Sequence, residues 1–166
     1  DRLLVSAAAL VLVPALAPAQ GYVVEDLQPI SAFGTRAFDV NDAGRAVGQG
    51  LSSSLQQHAL LWPGTGVGDL TPSNPLAEAQ GISADGVVAG WARNASGQTE
   101  AVTWTGGVPA FLGMLPGHAG SFAQDVNDAG LAAGWSTTSV GDPVASVWWN
   151  GEVQPIAGVQ SWPATS

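Results

Sequence analysis

The hexapeptide "DVNDAG" occurs at residues 39–44, Asp39-Val40-Asn41-Asp42-Ala43-Gly44, and again, letter for letter, at 125–130, Asp125-Val126-Asn127-Asp128-Ala129-Gly130. Carboxylate and amide oxygens ahead of a glycine resemble the start of a calcium loop. That template also asks for an oxygen ligand at its fifth position and a glutamate at its twelfth. Ala43 and Ala129 stand at the fifth position, and Gly50 and Ser136 at the twelfth. Neither copy offers the bidentate carboxylate. A hairpin explains more: Asn-Asp-Ala-Gly suits a type I turn with asparagine first and glycine fourth, the glycine forming the bulge that lets the turn join two twisted strands. The related stretch Ser83-Ala84-Asp85-Gly86 keeps the turn former and the glycine but has Gly81 in place of the leading acid. A metal loop would lose a ligand by that change, whereas a turn loses nothing.

Outward from these turns, one phase runs along the chain. The turn glycines Gly44, Gly86 and Gly130 are spaced by 42 and 44 residues, as are Trp62, Trp104 and Trp148, each preceded three places earlier by alanine. Leu27, Leu70, Leu112 and Ile156 close successive units at spacings of 43, 42 and 44. Independent markers in register define a tandem repeat with units at about 31–72, 73–114 and 115–158. Within each unit four short apolar runs are separated by Gly, Pro, Ser and Asn, the pattern of strands joined by tight turns. The first strands are expected at Ala37–Asn41, Ala79–Ser83 and Ala123–Asn127, the second at "RAVGQ", "VVAGW" and "LAAGW". The third end at the tryptophans, and the fourth read "VGDL", "VPAFL" and "EVQPI".

Four strands per 40 to 45 residues is the size of a propeller blade. The expected fold is therefore all-β: tandem four-stranded antiparallel sheets as in a β-propeller, with three blades and an orphan N-terminal strand around Tyr22 to Gln28. Propellers close with about four to eight blades, so three units lead to the expectation of a fragment of a longer protein. Trp62, Trp104 and Trp148 are expected in the core between blades, with Trp91 and Trp135 less determined because Gln49 holds the matching place in the first unit. The spacing Gly44-x-x-x-Gly48, repeated at Gly86/Gly90 and Gly130/Gly134, lacks the apolar stretch of a membrane-helix motif. It is expected instead to mark close approach between packed sheets.

Composition narrows the function. The chain of 166 residues has 22 glycines, no cysteine, and 13 acids against four arginines, for a net charge of −9. Nucleic acid is excluded as an expected partner, since phosphate binding needs clustered Lys and Arg. Arg2 followed by the apolar run to Ala19, with Pro14 inside it and the small-x-small triplet Ala17-Pro18-Ala19 at its end, reads as an N-terminally clipped signal peptide over residues 1–19. The repeat domain is then 20–166, exported to the extracellular space, cell surface or periplasm, with no membrane insertion after cleavage. Without cysteine, packing must supply the stability.

His58-Ala59-Leu60-Leu61-Trp62, and the stretch Leu112-Gly113-Met114-Leu115-Pro116-Gly117 followed by Ser121 to Gly130, resemble the HAF-repeat family of bacterial extracellular proteins. The resemblance spans about Asp26 to Ile156 and is weakest in the middle unit, where Glu100 replaces the histidine. It implies export and repeated β structure, and no particular activity.

No catalytic, cofactor-binding or metal-binding residue is assigned, and no cofactor is expected. His58 and His118 fall at different places in their units, and G-x-S-x-G is missing. Asp39 and Asp125 are the one catalytic hint: they could face a central channel, or hydrogen-bond local backbone near their turns. The leading expectation is a secreted or cell-surface scaffold that is not an enzyme and binds an unknown protein or glycan through loops such as "GLSSSLQQH" and "STTSVGDP". The alternatives are a polysaccharide-acting propeller enzyme completed by further repeats, and a calcium-stabilised surface module.

Overall fold

A computed structural model describes residues 26–73 and 76–156; the expected signal segment and the first part of the expected orphan strand lie outside the described residues. The described chain is all-β, with twelve strands in three four-stranded antiparallel sheets. The first sheet runs β1 (Thr35–Val40), β2 (Ala46–Leu51), β3 (Gln57–Trp62), β4 (Gly68–Asp69). The second runs β5 (Ala77–Ile82), β6 (Val88–Arg93), β7 (Thr99–Thr105), β8 (Val108–Gly113), and the third β9 (Gly120–Val126), β10 (Ala132–Thr137), β11 (Pro143–Trp149), β12 (Glu152–Pro155). In each sheet the strands lie in chain order, so every connection is a hairpin.

All twelve expected strands are present. Asn41, Ser83 and Asn127, expected as last strand residues, belong to the turns instead. At Asp26–Gln28 the expected orphan strand is not formed. That segment packs all the same: Leu27 and Ile30 lie against Ala46, Leu60 and Trp62, and the Gln28 carbonyl accepts the Trp62 indole N–H at 2.8 Å.

The first-hairpin turns form as the repeat predicts. Gly44, Gly86 and Gly130 have φ of 72°, 87° and 79°, a region that costs an L side chain energy. The Asn41 side-chain oxygen accepts the Ala43 and Arg45 amides at 3.1 Å each, and Asn127 does the same for Ala129 and Leu131 at 3.1 and 3.0 Å. Ser83 Oγ takes the Val87 amide in the middle unit. The amide oxygens of Asn41 and Asn127 are thus turned onto backbone N–H groups.

The second hairpins use the same turn. Ser52–Gln56, Asn94–Gln98 and Thr138–Asp142 each close with the fourth residue's amide on the first residue's carbonyl, at 2.9 to 3.0 Å. The left-handed fourth residue is Gly97 (φ 78°) or Gly141 (φ 94°), but in the first sheet it is Leu55 (φ 62°), largely exposed. A left-handed leucine costs about 1–2 kcal/mol, while glycine adds about 0.5–1 kcal/mol of unfolded-state entropy. Leu55→Gly is therefore expected to stabilise the chain by about 0.5–1 kcal/mol, read as a higher midpoint in chemical denaturation.

Close approach at the second-strand glycines lies within each sheet rather than between packed sheets. The first strand of every sheet carries a bulge, and Gly48, Gly90 and Gly134 stand beside it. A Cβ at those glycines would sit 1.9, 1.9 and 2.0 Å from the carbonyl oxygens of Arg36, Glu78 and Phe122. The bulged strand swings its carbonyl into the space a side chain would need.

The sheets stack face to face in chain order, with the second and third strands of one against the first strand of the next. Val47, Ala59 and Leu70 of the first sheet pack on Ala77, Ala79, Ile82 and Trp104 of the second. Ala89 and Ala101 of the second pack on Ala123, Val126 and Trp148 of the third. Small residues on one face and a tryptophan on the facing one let sheets approach closely. Trp62, Trp104 and Trp148 are all buried, as expected of core residues.

Candidate functional site

Stacking puts the three first-hairpin turns on one rim, where they bond to one another. Asn41 Nδ2 donates to the Ser83 carbonyl at 2.9 Å, and the Ala84 amide donates to Asp128 Oδ1 at 2.8 Å. Asp39 joins this lattice: one carboxylate oxygen takes its neighbour's amide at Val40 and the other the Ile82 amide of the next sheet, at 2.8 and 2.9 Å. Asp125 takes the Val126 amide at 2.8 Å and presses on Gly81, whose Cβ would lie 2.7 Å from its carboxylate. The two acids therefore approach β5 from opposite sides, each bonded to backbone. This is the local hydrogen-bonding role weighed for them, and it explains why the middle unit has glycine where its neighbours have an acid.

Among the described residues, His58, His118 and Glu78 lie in three separate settings. His58 Nδ1 lies 2.9 Å from Asp69 Oδ2 within the first sheet, tying β3 to β4. His118 contacts the Pro116 carbonyl at 3.3 Å, in the third unit. Glu78 accepts from Gln57 Nε2 at 2.7 Å and also from Gln80. Burial pushes its carboxyl above the usual range, and those two hydrogen bonds and the Arg36 charge pull it back only in part. Its bonded partners are amides, not a second carboxylate. Among the described residues no three His, Cys, Asp or Glu are grouped so as to hold a metal.

Antiparallel hairpins put the second turns on the opposite rim. The bonds of these tips run within their own hairpins: Ser52 Oγ takes the Gln56 amide, Asn94 Oδ1 takes the Ser96 and Gln98 amides, and Thr138 Oγ1 takes the Asp142 amide. Leu55 and Val140 are offered to solvent at two of the tips, 62% and 81% exposed. Ser53, Ser54 and Ser139 lie exposed beside them. The two rims thus differ in kind. One is cross-linked sheet to sheet, and the other presents exposed aliphatic groups and hydroxyls bonded within their own hairpins.

A third surface is the outward face of the third sheet. Trp135 stacks on Phe122 with ring centroids 5.3 Å apart, and Phe122 meets Trp91 edge-on at 5.8 Å. Trp135, Thr137, Pro143 and Ala145 line an open cleft of about 620 Å³. The sequence leaves Trp91 and Trp135 less determined, because Gln49 holds the matching place in the first unit; the structure sets both against Phe122.

No protein-family model, curated protein or solved structure matches the chain. No helix among the described residues is long and apolar enough to cross a membrane.

Proposed function

We propose that the chain is an exported β-repeat scaffold that binds a partner protein through its second-hairpin rim. The difference between the rims carries this reading. A rim whose polar groups are spent on neighbouring sheets has little left to offer, whereas Leu55 and Val140 stand exposed among serines and glutamine. Aliphatic tips ringed by hydroxyls suit a protein surface better than a sugar, which stacks on aromatic rings; no aromatic residue lies at these tips. Export rests on the apolar N-terminal run ending at Ala19. Membership of the HAF-repeat family rests on the His58–Trp62 and Leu112–Gly130 stretches, and the repeated β structure that this resemblance implies fits the three four-stranded sheets. A propeller enzyme is the weaker reading, since Asp39 and Asp125 are bonded to backbone rather than poised in a pocket. A calcium-stabilised module is weaker still, with the Asn41 and Asn127 oxygens occupied by amides.

A phage-displayed peptide library selected on the purified chain tests the assignment. Clones are expected whose binding falls at least about tenfold, roughly 1.4 kcal/mol, on the double variant Leu55→Gly, Val140→Ser. Clones that bind wild type and variant alike would remove the rim as the site.

A further inference from the structure

The geometry points to head-to-tail pairing of two copies of this chain, the outward face of the third sheet of one covering the first strand of the other. This goes beyond the rim reading and is independent of it. The contact between neighbouring sheets is built twice within the chain, and in a third such contact the donor half and the first-strand side of the acceptor half stand exposed. On the donor side, Val47 and Ala59 in the first sheet, and Ala89 and Ala101 in the second, are all 0% exposed. Their counterparts in the third sheet, Ala133 and Ala145, are exposed, and Ala145 lines the cleft at Trp135. On the acceptor side, Ile82 and Val126 are 6% and 3% exposed, while their counterpart Val40 is 62% exposed. Ala79 and Ala123 are buried, and their counterpart Ala37 is exposed. Ala133 and Ala145 on one surface, and Ala37 and Val40 on the other, are therefore small or β-branched residues of the kind that their equivalents bury elsewhere in the same molecule.

Polar groups extend the match. Asn41 Nδ2 donates to the Ser83 carbonyl across the first contact, so Asn127 Nδ2 falls opposite the Asn41 carbonyl of the second copy. The Ala84 amide donates to Asp128 across the second contact, so the Asp128 amide falls opposite the Asp42 carboxylate. Trp91 covers Phe122 of the next sheet, and Arg36 holds the Phe122 position in the first sheet, so Trp135 would receive the Arg36 guanidinium as a cation–π partner. Two features limit the contact. Leu27 and Gln28 already fill the outer space beside Trp62, so the inner strands carry the pairing, as β2 and β3 do on β5. Asp125 and Asp128 meet Asp39 and Asp42 where the internal contacts set Gly81 against an acid, so this contact carries a short-range acid–acid repulsion that salt screens little and is the weakest of the three.

Head-to-tail contacts form closed rings when the rotation permits. Two copies contribute six sheets, within the range of about four to eight at which propellers close. Sedimentation velocity of the full chain in 0.15 M salt, a value near physiological ionic strength, is expected to show a concentration-dependent dimer. Ala133→Arg and Val40→Arg alter exposed positions on opposite faces. Unchanged far-ultraviolet circular dichroism will show that both variants fold. Each variant alone is expected to be monomeric, and their equimolar mixture to regain pairing through the one intact contact. A wild-type monomer, a dimer that survives either substitution, or a mixture that stays monomeric would overturn the proposal.

Discussion

Gly90→Ala is expected to destabilise the chain by about 3 kcal/mol, more than most single methyl additions. Gly90 pairs with Ala79 on one side and Val102 on the other, in the centre of the middle sheet. The added methyl would meet backbone rather than a yielding side chain: the Glu78 carbonyl oxygen at 1.9 Å, its carbon at 3.0 Å and the Ala79 Cα at 3.0 Å. Relief requires β5 to lose its bulge, and β5 is the strand that both neighbouring sheets pack against. A change confined to one residue is thus felt at two interfaces. For a chain of this size about 3 kcal/mol lowers Tm by roughly 6–12 °C. Gly68→Ala serves as the control, because its methyl would meet only the Leu61 carbonyl, at 3.4 Å. If thermal unfolding monitored by tryptophan fluorescence leaves both variants near wild type, the bulged geometry is wrong.

That glycine shows where the sequence was legible and where it was not. Repeat spacing located all twelve strands, because each strand alternates against a turn whose chemistry Asn41, Ser83 and Asn127 announce locally. The small-x-x-x-small pattern was visible too, but its cause was not. A bulge at Phe38, Gln80 or Gln124 has no residue signature of its own, so from sequence the glycine opposite it points to contact between sheets. Leu55 was legible in hindsight: it shares the phase of Gly97 and Gly141, with the same steps of 42 and 44. Leucine carries no turn signal, and only the alignment of units would reveal it. The role of Asp39 depended on Ile82, 43 residues away, and no local rule reaches that far. The rims follow the same division. Turn type is written in the sequence, while which rim is cross-linked follows from how the sheets stack.

Trp104→Ala is expected to cost about 3–5 kcal/mol, the usual penalty for emptying a buried tryptophan site. The ring is 1% exposed and lies among Val47, Ala59, Leu70 and Ala77, so it joins the first sheet to the second. Its polar atom distinguishes it from the other two. Trp62 and Trp148 donate their indole N–H to the carbonyls of Gln28 and Gly113, at 2.8 and 3.1 Å. Trp104 Nε1 is buried with no partner among the described residues. A buried unpaired donor costs about 1–3 kcal/mol, whereas a formed hydrogen bond contributes about 1 kcal/mol. Trp104→Phe keeps much of the apolar contact and removes the orphan donor, so it should cost at least about 1 kcal/mol less than Trp62→Phe, which breaks a bond of that worth. Equal penalties for the two phenylalanine variants would mean that the Trp104 N–H is satisfied after all. The alanine variant carries a further signature, because stacked units draw stability from their neighbours as well as themselves. Hydrogen exchange should quicken most in β1 to β3, which lose their partner across the emptied contact, and least in β9 to β11, whose contact through Trp148 is untouched. Uniform acceleration across all three sheets would show instead that they unfold as one unit, with no separable interfaces between them.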